Sequence, residues 1–125
     1  MSKKGVVLFS HGSKREQSNR AFRELVEEIE IEGVAEIGHA FLEFTEPGLV
    51  DAVEEMISEG ADKMVIVPVF LFPGKHVRDD LPGLVEELEE ENEEVEFVIT
   101  DLLSSHPRFK GLIEERIMEG LEKFR

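Results

Sequence analysis

The stretch KMVIVPVFLFPGKH, residues 63–76, decides the fold. Its first ten residues form a nearly continuous apolar run rich in valine, which is typical of a strand buried on both faces of a sheet. Pro73 and Gly74 end the run, and His76 follows directly after this turn. A second apolar run, GVVLFSHG at residues 5–12, leads in the same way into a glycine turn with one histidine, His11. The two patterns predict two buried strands, each followed by a turn that carries a histidine.

Apolar periodicity assigns the rest of the chain. It predicts strands at 5–10, 34–44, 63–72 and 95–101, and helices at 17–31, 46–59, 80–91 and 107–124. In the third helix, Pro82 is expected in the first turn, and Asp79 and Asp80 are expected to cap it. Alternating strands and helices predict a parallel α/β sheet with helices on both faces. For one domain spanning residues 1–125, we expect a flavodoxin-like fold with four parallel strands in the order 2-1-3-4.

Composition excludes several classes of protein. The 125 residues include no cysteine, so disulfides, thiolate nucleophiles and cysteine metal sites are ruled out. A net charge of −15 argues against nucleic acid as a partner. No apolar run approaches the roughly 20 residues that span a bilayer, and no signal peptide is recognisable, so we expect a cytoplasmic protein without a membrane partner. Nucleotide-driven chemistry is disfavoured, because neither a Walker A sequence nor GxGxxG follows a strand.

The basic residues are concentrated near the two histidine turns. Lys14, Arg15 and Arg20 follow the first turn, and Lys75 and Arg78 flank His76. The acidic residues are instead crowded into helical segments such as EELEEENEEVE, residues 86–96, where solvated helix faces explain them. An acidic protein with its cations beside two turns favours an anionic ligand at that place.

The predicted topology brings the two histidines together. In open parallel sheets, ligands bind beyond the carboxyl ends of the strands, at the point where the winding direction reverses. With the order 2-1-3-4 this point lies between strands 1 and 3, which end near His11 and His76. Neutral imidazoles are ligands for Co²⁺, Ni²⁺, Fe²⁺ and Zn²⁺, and they accept protons near neutral pH. Gly12 and Gly74 allow a large ligand to approach the backbone, and the HGSK loop (His11, Gly12, Ser13, Lys14) is suited to hold a carboxylate.

Four further residues are candidates at the same edge or near it. Glu43 and Glu46 follow strand 2, and for Glu46 a helix cap and a substrate contact are equally open. His106 follows strand 4 and precedes Pro107, which is expected to open the last helix. His39 lies inside strand 2, where a packed strand residue is the simpler interpretation.

Three motifs together resemble one known family. VVLFSHGSK (residues 6–14), FLEFTEP (41–47) and IVPVFLFPGKHVRDDLP (66–82) are similar, in order and spacing, to the small CbiX-type sirohydrochlorin chelatases, the short archaeal class II chelatases. The resemblance implies ATP-independent insertion of Co²⁺ into sirohydrochlorin for cobalamin biosynthesis, and some relatives insert Ni²⁺. It implies no cofactor beyond the substrate metal ion. Because longer relatives look like two fused domains of this kind, it also implies a homodimer.

The resemblance assigns roles to residues by motif match. It makes His11 the proton acceptor and a metal ligand, and His76 the second metal ligand. It assigns the contacts with the tetrapyrrole to Glu46, Leu71, Phe72, Pro73, Gly74, Lys75 and His76. The remaining predicted site residues are Gly12, Ser13, Lys14, Glu43 and Arg78. Departures from the family pattern are the absence of a histidine-rich insertion after the third helix, and Pro73, Lys75 and Leu81.

Two alternatives stay open at the level of sequence. A non-catalytic carrier of metal or tetrapyrrole would use the same crevice without accelerating metal insertion. Insertion of Fe²⁺ towards sirohaem would need the same residues, because imidazole suits iron, cobalt and nickel alike.

Overall fold

The computed structural model describes residues 2–124, apart from the side chain of His76. The strands are β1 (Lys4–Ser10), β2 (Glu36–Phe41), β3 (Lys63–Pro68) and β4 (Glu96–Ile99). The helices are α1 (Glu16–Glu28), α2 (Leu49–Ser58), α3 (Lys75–Glu91) and α4 (Phe109–Leu121), and a 3₁₀ turn (Leu103–Ser105) precedes α4. Within residues 2–124, no helix combines the length and apolar character needed to cross a membrane.

The strands form one parallel sheet in the order β2-β1-β3-β4, which confirms the predicted topology. The two most apolar strands, β1 and β3, are neighbours at its centre, with Phe9 opposite Pro68. The backbone N–H of Val69 donates to the carbonyl oxygen of Phe9 at 2.7 Å, so the two chains leave the sheet side by side. The loops that follow β1 and β3 therefore begin at the same edge.

Side chains of β2 alternate between the two faces of the sheet, as the period of a strand requires. Gly38 and Ala40 lie on the α2 face, where Ala40 joins a core that includes α2 side chains. Phe41 lies on the α1 face, with its ring 5.6 Å from that of Phe22 and 5.6 Å from that of His39. Helices α1 and α2 consequently cover opposite faces, as a doubly wound sheet predicts.

The larger core lies between the central strands and helices α2 and α3. Its fully buried side chains include Phe9, Met64, Ile66, Val53 and Leu88. Burying each of these side chains contributes about 1.5–3 kcal/mol relative to leaving it in water. This core fixes α3 against the sheet, so the turn that opens α3 is held above the ends of the strands.

Met56 of α2 packs directly on two glycines of neighbouring strands. A Cβ added at Gly5 would lie 2.9 Å from the Met56 sulfur, and one added at Gly38 would lie 2.7 Å from its terminal methyl carbon. Contacts this short mean that the flexible end of Met56 would have to move before either position could carry a side chain. The missing Cβ atoms thus allow α2 to lie close to the sheet.

Helix α3 begins five residues earlier than predicted, at Lys75 instead of Asp80. Gly74 is its N-cap, and the N–H of Arg78 donates to the Gly74 carbonyl at 3.2 Å. Pro82 therefore lies inside the helix, and the prediction that it belongs to the first turn is wrong. The expected capping role of Asp79 and Asp80 is wrong for the same reason. A single internal proline removes one backbone hydrogen bond, and the buried face with Leu81, Val85 and Leu88 keeps the helix in place.

Most of the other strands and helices are shorter than the apolar runs suggest. β3 ends at Pro68, although the run continues to Phe72, because its pairing with β1 ends there, opposite Phe9, and its pairing with β4 ends two residues earlier, at Ile66. Phe70 lies beyond the end of the strand, and its apolar character has another explanation. Its ring is buried and packs edge-on against that of Phe9, with 5.7 Å between the ring centroids. Helix α2 begins at Leu49 with Gly48 as N-cap, and α4 begins at Phe109, two residues after Pro107.

Helix α4 differs from the other helices because it has no buried residue. Its exposed apolar side chains are Leu112, Ile113, Ile117, Met118 and Leu121. Spacings of four residues place Ile113, Ile117 and Leu121 along one side of the helix. Among residues 2–124, this helix presents the longest run of exposed large apolar side chains.

Candidate functional site

A cleft of about 310 Å³ opens at the carboxyl edge of the sheet, where β1 and the start of α3 meet. Its lining comprises His11, Leu42, Glu43, Val77, Asp80, Leu81 and Leu84. The loop after β1 supplies His11, the loop after β2 supplies Glu43, and α3 closes the opposite wall. A cleft is therefore present at the predicted edge of the sheet, lined by residues from three separate segments, and the predicted meeting of His11 with His76 stays a prediction.

His11 is oriented by its own loop. Its Nδ1 atom lies 3.2 Å from the carbonyl oxygen of Gly12. Because a carbonyl only accepts hydrogen bonds, this contact places the proton of the neutral ring on Nδ1. The other nitrogen, Nε2, lies 3.7 Å from Oε2 of Glu43, and both side chains are about half exposed. A lone pair on Nε2 and a carboxylate oxygen thus lie opposite each other at the mouth of the cleft.

The loops after β1 and β2 are locked together around Gly12. The N–H of Glu43 donates to the His11 carbonyl at 3.1 Å. Gly12 has a φ of 88°, and a Cβ built on it would lie 2.1 Å from the Glu43 carbonyl oxygen. Only glycine meets both conditions without displacing the backbone. This close approach sets the spacing between His11 and Glu43, and it gives the predicted site residue Gly12 a physical role.

Phe44 is a residue of the site that the sequence reasoning missed. It has a φ of 73°, in the left-handed region that bulky residues rarely adopt, and it is 53% exposed. Its ring lies 6.1 Å from that of His11, and Nζ of Lys14 lies 5.6 Å from its centroid. Such strain in a non-glycine residue is concentrated at functional sites. The sequence signal was present only as an aromatic residue between two candidate glutamates, Glu43 and Glu46.

The turn before α3 lines a cleft beside β4 and not the cleft that contains His11. A second cleft of about 310 Å³ is lined by Leu71, Phe72, Pro73, Arg78, Leu102, Ser104 and Ser105. Phe72 is 82% exposed, and its ring meets Phe109 edge-on at 6.3 Å. Arg78 also borders a larger cleft of about 520 Å³ beside Thr100 and Asp101. Phe72 and Arg78 therefore extend the predicted site along the edge of the sheet, away from the His11 cleft.

The predicted second metal ligand, His76, has a side chain outside the described part of the structure. Its backbone belongs to the first turn of α3, directly before Val77, which lines the His11 cleft. Gly74 and Lys75 are the N-cap and first residue of that helix, and both are exposed. Within residues 2–124, leaving aside the His76 side chain, no group of three or more histidine or carboxylate side chains is placed to hold a metal ion.

The remaining candidates, Glu46, His106 and His39, lie in different surroundings. Glu46 is exposed and does not cap α2, whose N-cap is Gly48, so the capping alternative is wrong and the substrate contact stays a prediction. His106 Nδ1 accepts a hydrogen bond from the backbone N–H of Arg108 at 3.1 Å. His39 is a half-buried strand residue as predicted, and burial together with the Arg23 charge lowers its pKa.

Comparisons with known proteins agree on one family. The family model described as CbiX matches residues 5–120 of this chain. A chloroplastic sirohydrochlorin ferrochelatase of Arabidopsis thaliana is 32% identical over 94% of this chain, which spans 52% of that relative's length. A sirohydrochlorin cobaltochelatase of Methanopyrus kandleri is 31% identical over 93% of this chain and 96% of its own.

A solved structure extends the agreement to the fold. The crystal structure of a CbiX protein from Marinobacter aquaeolei VT8 superimposes with a TM-score of 0.82 at 29% identity. The match covers 97% of this chain and 99% of the other. The four-stranded sheet and its flanking helices are thus shared over the entire length of that relative.

Proposed function

Because the chain belongs to the CbiX family, we propose that it inserts a divalent metal ion into sirohydrochlorin without ATP. The observation that carries the proposal is the pair formed by His11 Nε2 and Glu43 Oε2, 3.7 Å apart at the mouth of an open cleft. Co²⁺ is the proposed substrate metal, and Ni²⁺ and Fe²⁺ are the alternatives. Relatives are named for cobalt and for iron, and nitrogen with oxygen donors suits all three ions.

The spacing of this pair suits temporary binding of an ion. An ion about 2.1 Å from each donor atom fits between atoms 3.7 Å apart, with a nitrogen–metal–oxygen angle of about 120°. Two protein ligands leave several coordination positions open for water and for pyrrole nitrogens. His76 is proposed as a further ligand, carried by the helix turn that flanks the cleft. A site with so few ligands releases its ion readily, which insertion into a macrocycle requires.

Metal insertion also removes two protons from the pyrrole nitrogens. His11 is proposed as the acceptor of each proton in turn: its Nδ1 proton is engaged with the Gly12 carbonyl, and its Nε2 lone pair, once it no longer binds the ion, takes a proton and passes it to solvent through the open mouth of the cleft. The Glu43 carboxylate then lies 3.7 Å from the nitrogen that becomes charged, so it stabilises the imidazolium. One pair of side chains thereby contributes first to ion binding and then to proton removal.

Exposed aromatic and basic side chains support a large, flat, anionic substrate. Phe44 and Phe72 present ring faces or edges near the two clefts. Lys14 lies over Phe44, and Arg78 borders the clefts beside β4, so cations are available at both ends of the edge. Stacking on aromatic rings and pairing with carboxylates are the contacts that sirohydrochlorin offers. Glu46 and the segment from Leu71 to Lys75 complete the proposed contacts.

The proposed assembly is a homodimer that buries the apolar side of α4. The large apolar side chains Leu112, Ile113, Ile117, Met118 and Leu121 of this helix are all exposed. Residues 107–125 contain five basic and four acidic residues, whereas the net charge of the chain is −15. Two copies could therefore meet at this segment with little charge repulsion. A relative about twice as long, of which this chain spans 52%, is consistent with a paired arrangement.

The experiment that tests the function follows the visible spectrum of sirohydrochlorin with Co²⁺, Ni²⁺ or Fe²⁺ and a substoichiometric amount of protein. Many turnovers per site are expected, with the fastest metal as the physiological candidate. His11→Ala should lower kcat at least about 100-fold. Glu43→Gln should raise the KM for the metal ion about tenfold, because it removes one charge near the ion.

His106→Gln is the matched control, since it changes an exposed histidine outside the cleft and should leave kcat within twofold. A spectral change that stops at one tetrapyrrole per site, with no gain in rate, would identify a carrier and overturn the proposal. Full activity in His11→Ala would exclude His11 as the acceptor.

A further inference from the structure

Asn19 is the one buried polar side chain among those that the structure describes, which leaves aside His76, and it lies where an apolar residue is expected. It is 3% exposed and belongs with Val26, seven residues later, to the inward side of α1. Burying an amide costs free energy unless its hydrogen bonds are made. The hydrogen-bond partners of Asn19 therefore have to explain why an amide is buried at this position.

Both partners belong to the backbone of Ser13, within the loop that carries His11. The N–H of Ser13 donates to Asn19 Oδ1 at 2.9 Å, and Asn19 Nδ2 donates to the Ser13 carbonyl at 2.8 Å. The amide thus replaces both hydrogen bonds that a neighbouring strand would make to this residue. Nδ2 also lies 3.4 Å from Oε2 of Glu16. Hydrogen bonds from Arg23 and then Asn19 lower the pKa of Glu16, so this carboxylate is charged at neutral pH.

The loop is therefore fixed on both sides of Gly12. On one side, the His11 carbonyl accepts from the N–H of Glu43. On the other side, Asn19 holds Ser13 at both of its backbone polar groups. Rotation of the peptide between Gly12 and Ser13 would turn the Gly12 carbonyl, which is the acceptor for His11 Nδ1 at 3.2 Å. Holding Ser13 consequently holds the carbonyl that orients the imidazole.

We propose that Asn19 is a positioning residue: through Ser13 and the Gly12 carbonyl it keeps the proton of His11 on Nδ1 and the lone pair of Nε2 at the cleft. This inference rests on the proposed function for its kinetic consequence, but the orientation of the ring is a property of the protein alone. Asn19 itself contacts neither metal nor macrocycle, and its effect reaches the chemistry through His11.

The test compares Asn19→Asp with Asn92→Asp. Asn92 is the C-cap of α3, and its Nδ2 donates to the Leu88 carbonyl at 3.0 Å, so each substitution removes one amide donor from a backbone carbonyl. At position 19 the new carboxylate keeps an acceptor for the Ser13 N–H, but it lies opposite the Ser13 carbonyl and the charged Glu16. Repulsion from these oxygen atoms displaces the side chain, so Ser13 is no longer held at both of its backbone groups. Both variants should unfold at lower urea concentration than the parent protein. Only Asn19→Asp should lower kcat, at least tenfold, with the KM for sirohydrochlorin changed less than twofold.

A second readout does not require activity. In protein with ¹⁵N-labelled histidine, the parent His11 should show a protonated Nδ1 and an unprotonated Nε2 at a pH where the ring is neutral. Asn19→Asp should show a mixture of both tautomers, and Asn92→Asp the parent pattern. If Asn19→Asp does not fold, Asn19→Ser replaces it without a buried charge. Its shorter side chain does not reach both Ser13 groups, so the same mixture is expected.

An unchanged tautomer and an unchanged kcat in a folded Asn19 variant would overturn the proposal. Equal loss of kcat in Asn19→Asp and Asn92→Asp would also overturn it, because the effect would then be general destabilisation. If the parent protein shows no turnover, the proposed function fails, and the tautomer measurement still decides the role of Asn19.

Discussion

Replacing Gly12 by alanine should destabilise the protein and separate His11 from Glu43, and Gly33→Ala provides a matched control. Both glycines have a φ of 88°. A Cβ at position 33 meets no atom within 4 Å, whereas at position 12 it would lie 2.1 Å from the Glu43 carbonyl oxygen. The two variants therefore share the cost of a left-handed alanine, and only Gly12→Ala adds a clash with backbone.

The magnitudes follow from these two contributions. A left-handed alanine costs about 1–2 kcal/mol, and reduced freedom of the unfolded chain returns about 0.4–1 kcal/mol, which leaves about 1 kcal/mol for Gly33→Ala. The clash at Gly12 adds about 1–3 kcal/mol, because the loop after β2 has to move by more than an ångström. With a urea m-value of about 1.5 kcal/mol/M, the unfolding midpoint should fall by about 0.7 M for Gly33→Ala and about 1.3–2.7 M for Gly12→Ala.

The assay is urea unfolding of both variants followed by circular dichroism, with metallation measured where each is folded. Gly33→Ala should keep the parent rate, and Gly12→Ala should lose it, since the displaced loop carries Glu43. Equal midpoint shifts for the two variants would refute the reasoning, because they would mean that no close contact exists at Gly12.

Three further predictions use other features of the molecule. Phe44→Gly should leave the free energy of unfolding within about 1 kcal/mol, because relief of a φ of 73° offsets the lost ring contacts, and should raise the KM for sirohydrochlorin severalfold in steady-state assays. Ile117→Glu should convert the proposed dimer into monomers in sedimentation equilibrium, while Gln17→Glu, the same charge change on α1, should not; dimers in both variants would exclude α4 as the interface. Burial and then the Arg23 charge lower the pKa of His39 below 6.5, so its contribution to stability is complete above pH 6.5 and is lost as the pH falls towards the lowered value. His39→Gln should make the free energy of unfolding, measured in urea, depend less on pH in that range. An unchanged pH dependence would contradict this role of His39.

The sheet was predictable because its determinants are local. The apolar runs of β1 and β3 and the intervening helical periods dictate a parallel sheet, and right-handed connections then leave few strand orders. The start of α3 was not predictable from the same signals. Pro82 suggests a first turn, but the packing of Leu81, Val85 and Leu88 holds the helix across that proline. Tertiary contacts thus outweighed the local marker.

The edge of the sheet that carries the candidate site was predictable, but the detailed arrangement of its side chains was less so. The topology brought His11 and Glu43 to one cleft, as the order of strands required. The left-handed backbone of Phe44 and the two hydrogen bonds between Asn19 and Ser13 arise from loop geometry that no spacing rule encodes. Phe72 and Arg78 line clefts beside β4, a direction that no spacing in the sequence encodes, and their contact with the substrate stays a prediction.

The packing of Met56 on Gly5 and Gly38 has a consequence for how sequences with this fold diversify. Three positions, one on each of β1, β2 and α2, share a single small volume, with distances of 2.9 and 2.7 Å from the Met56 side chain to the absent Cβ atoms. Side-chain sizes at these positions are therefore expected to covary: an alanine at position 38 requires the end of the Met56 side chain to move or a shorter residue at position 56. Because methionine is unbranched and flexible, one such exchange is expected to be absorbed by a new rotamer of Met56, whereas side chains at both position 5 and position 38 would compete for the same space.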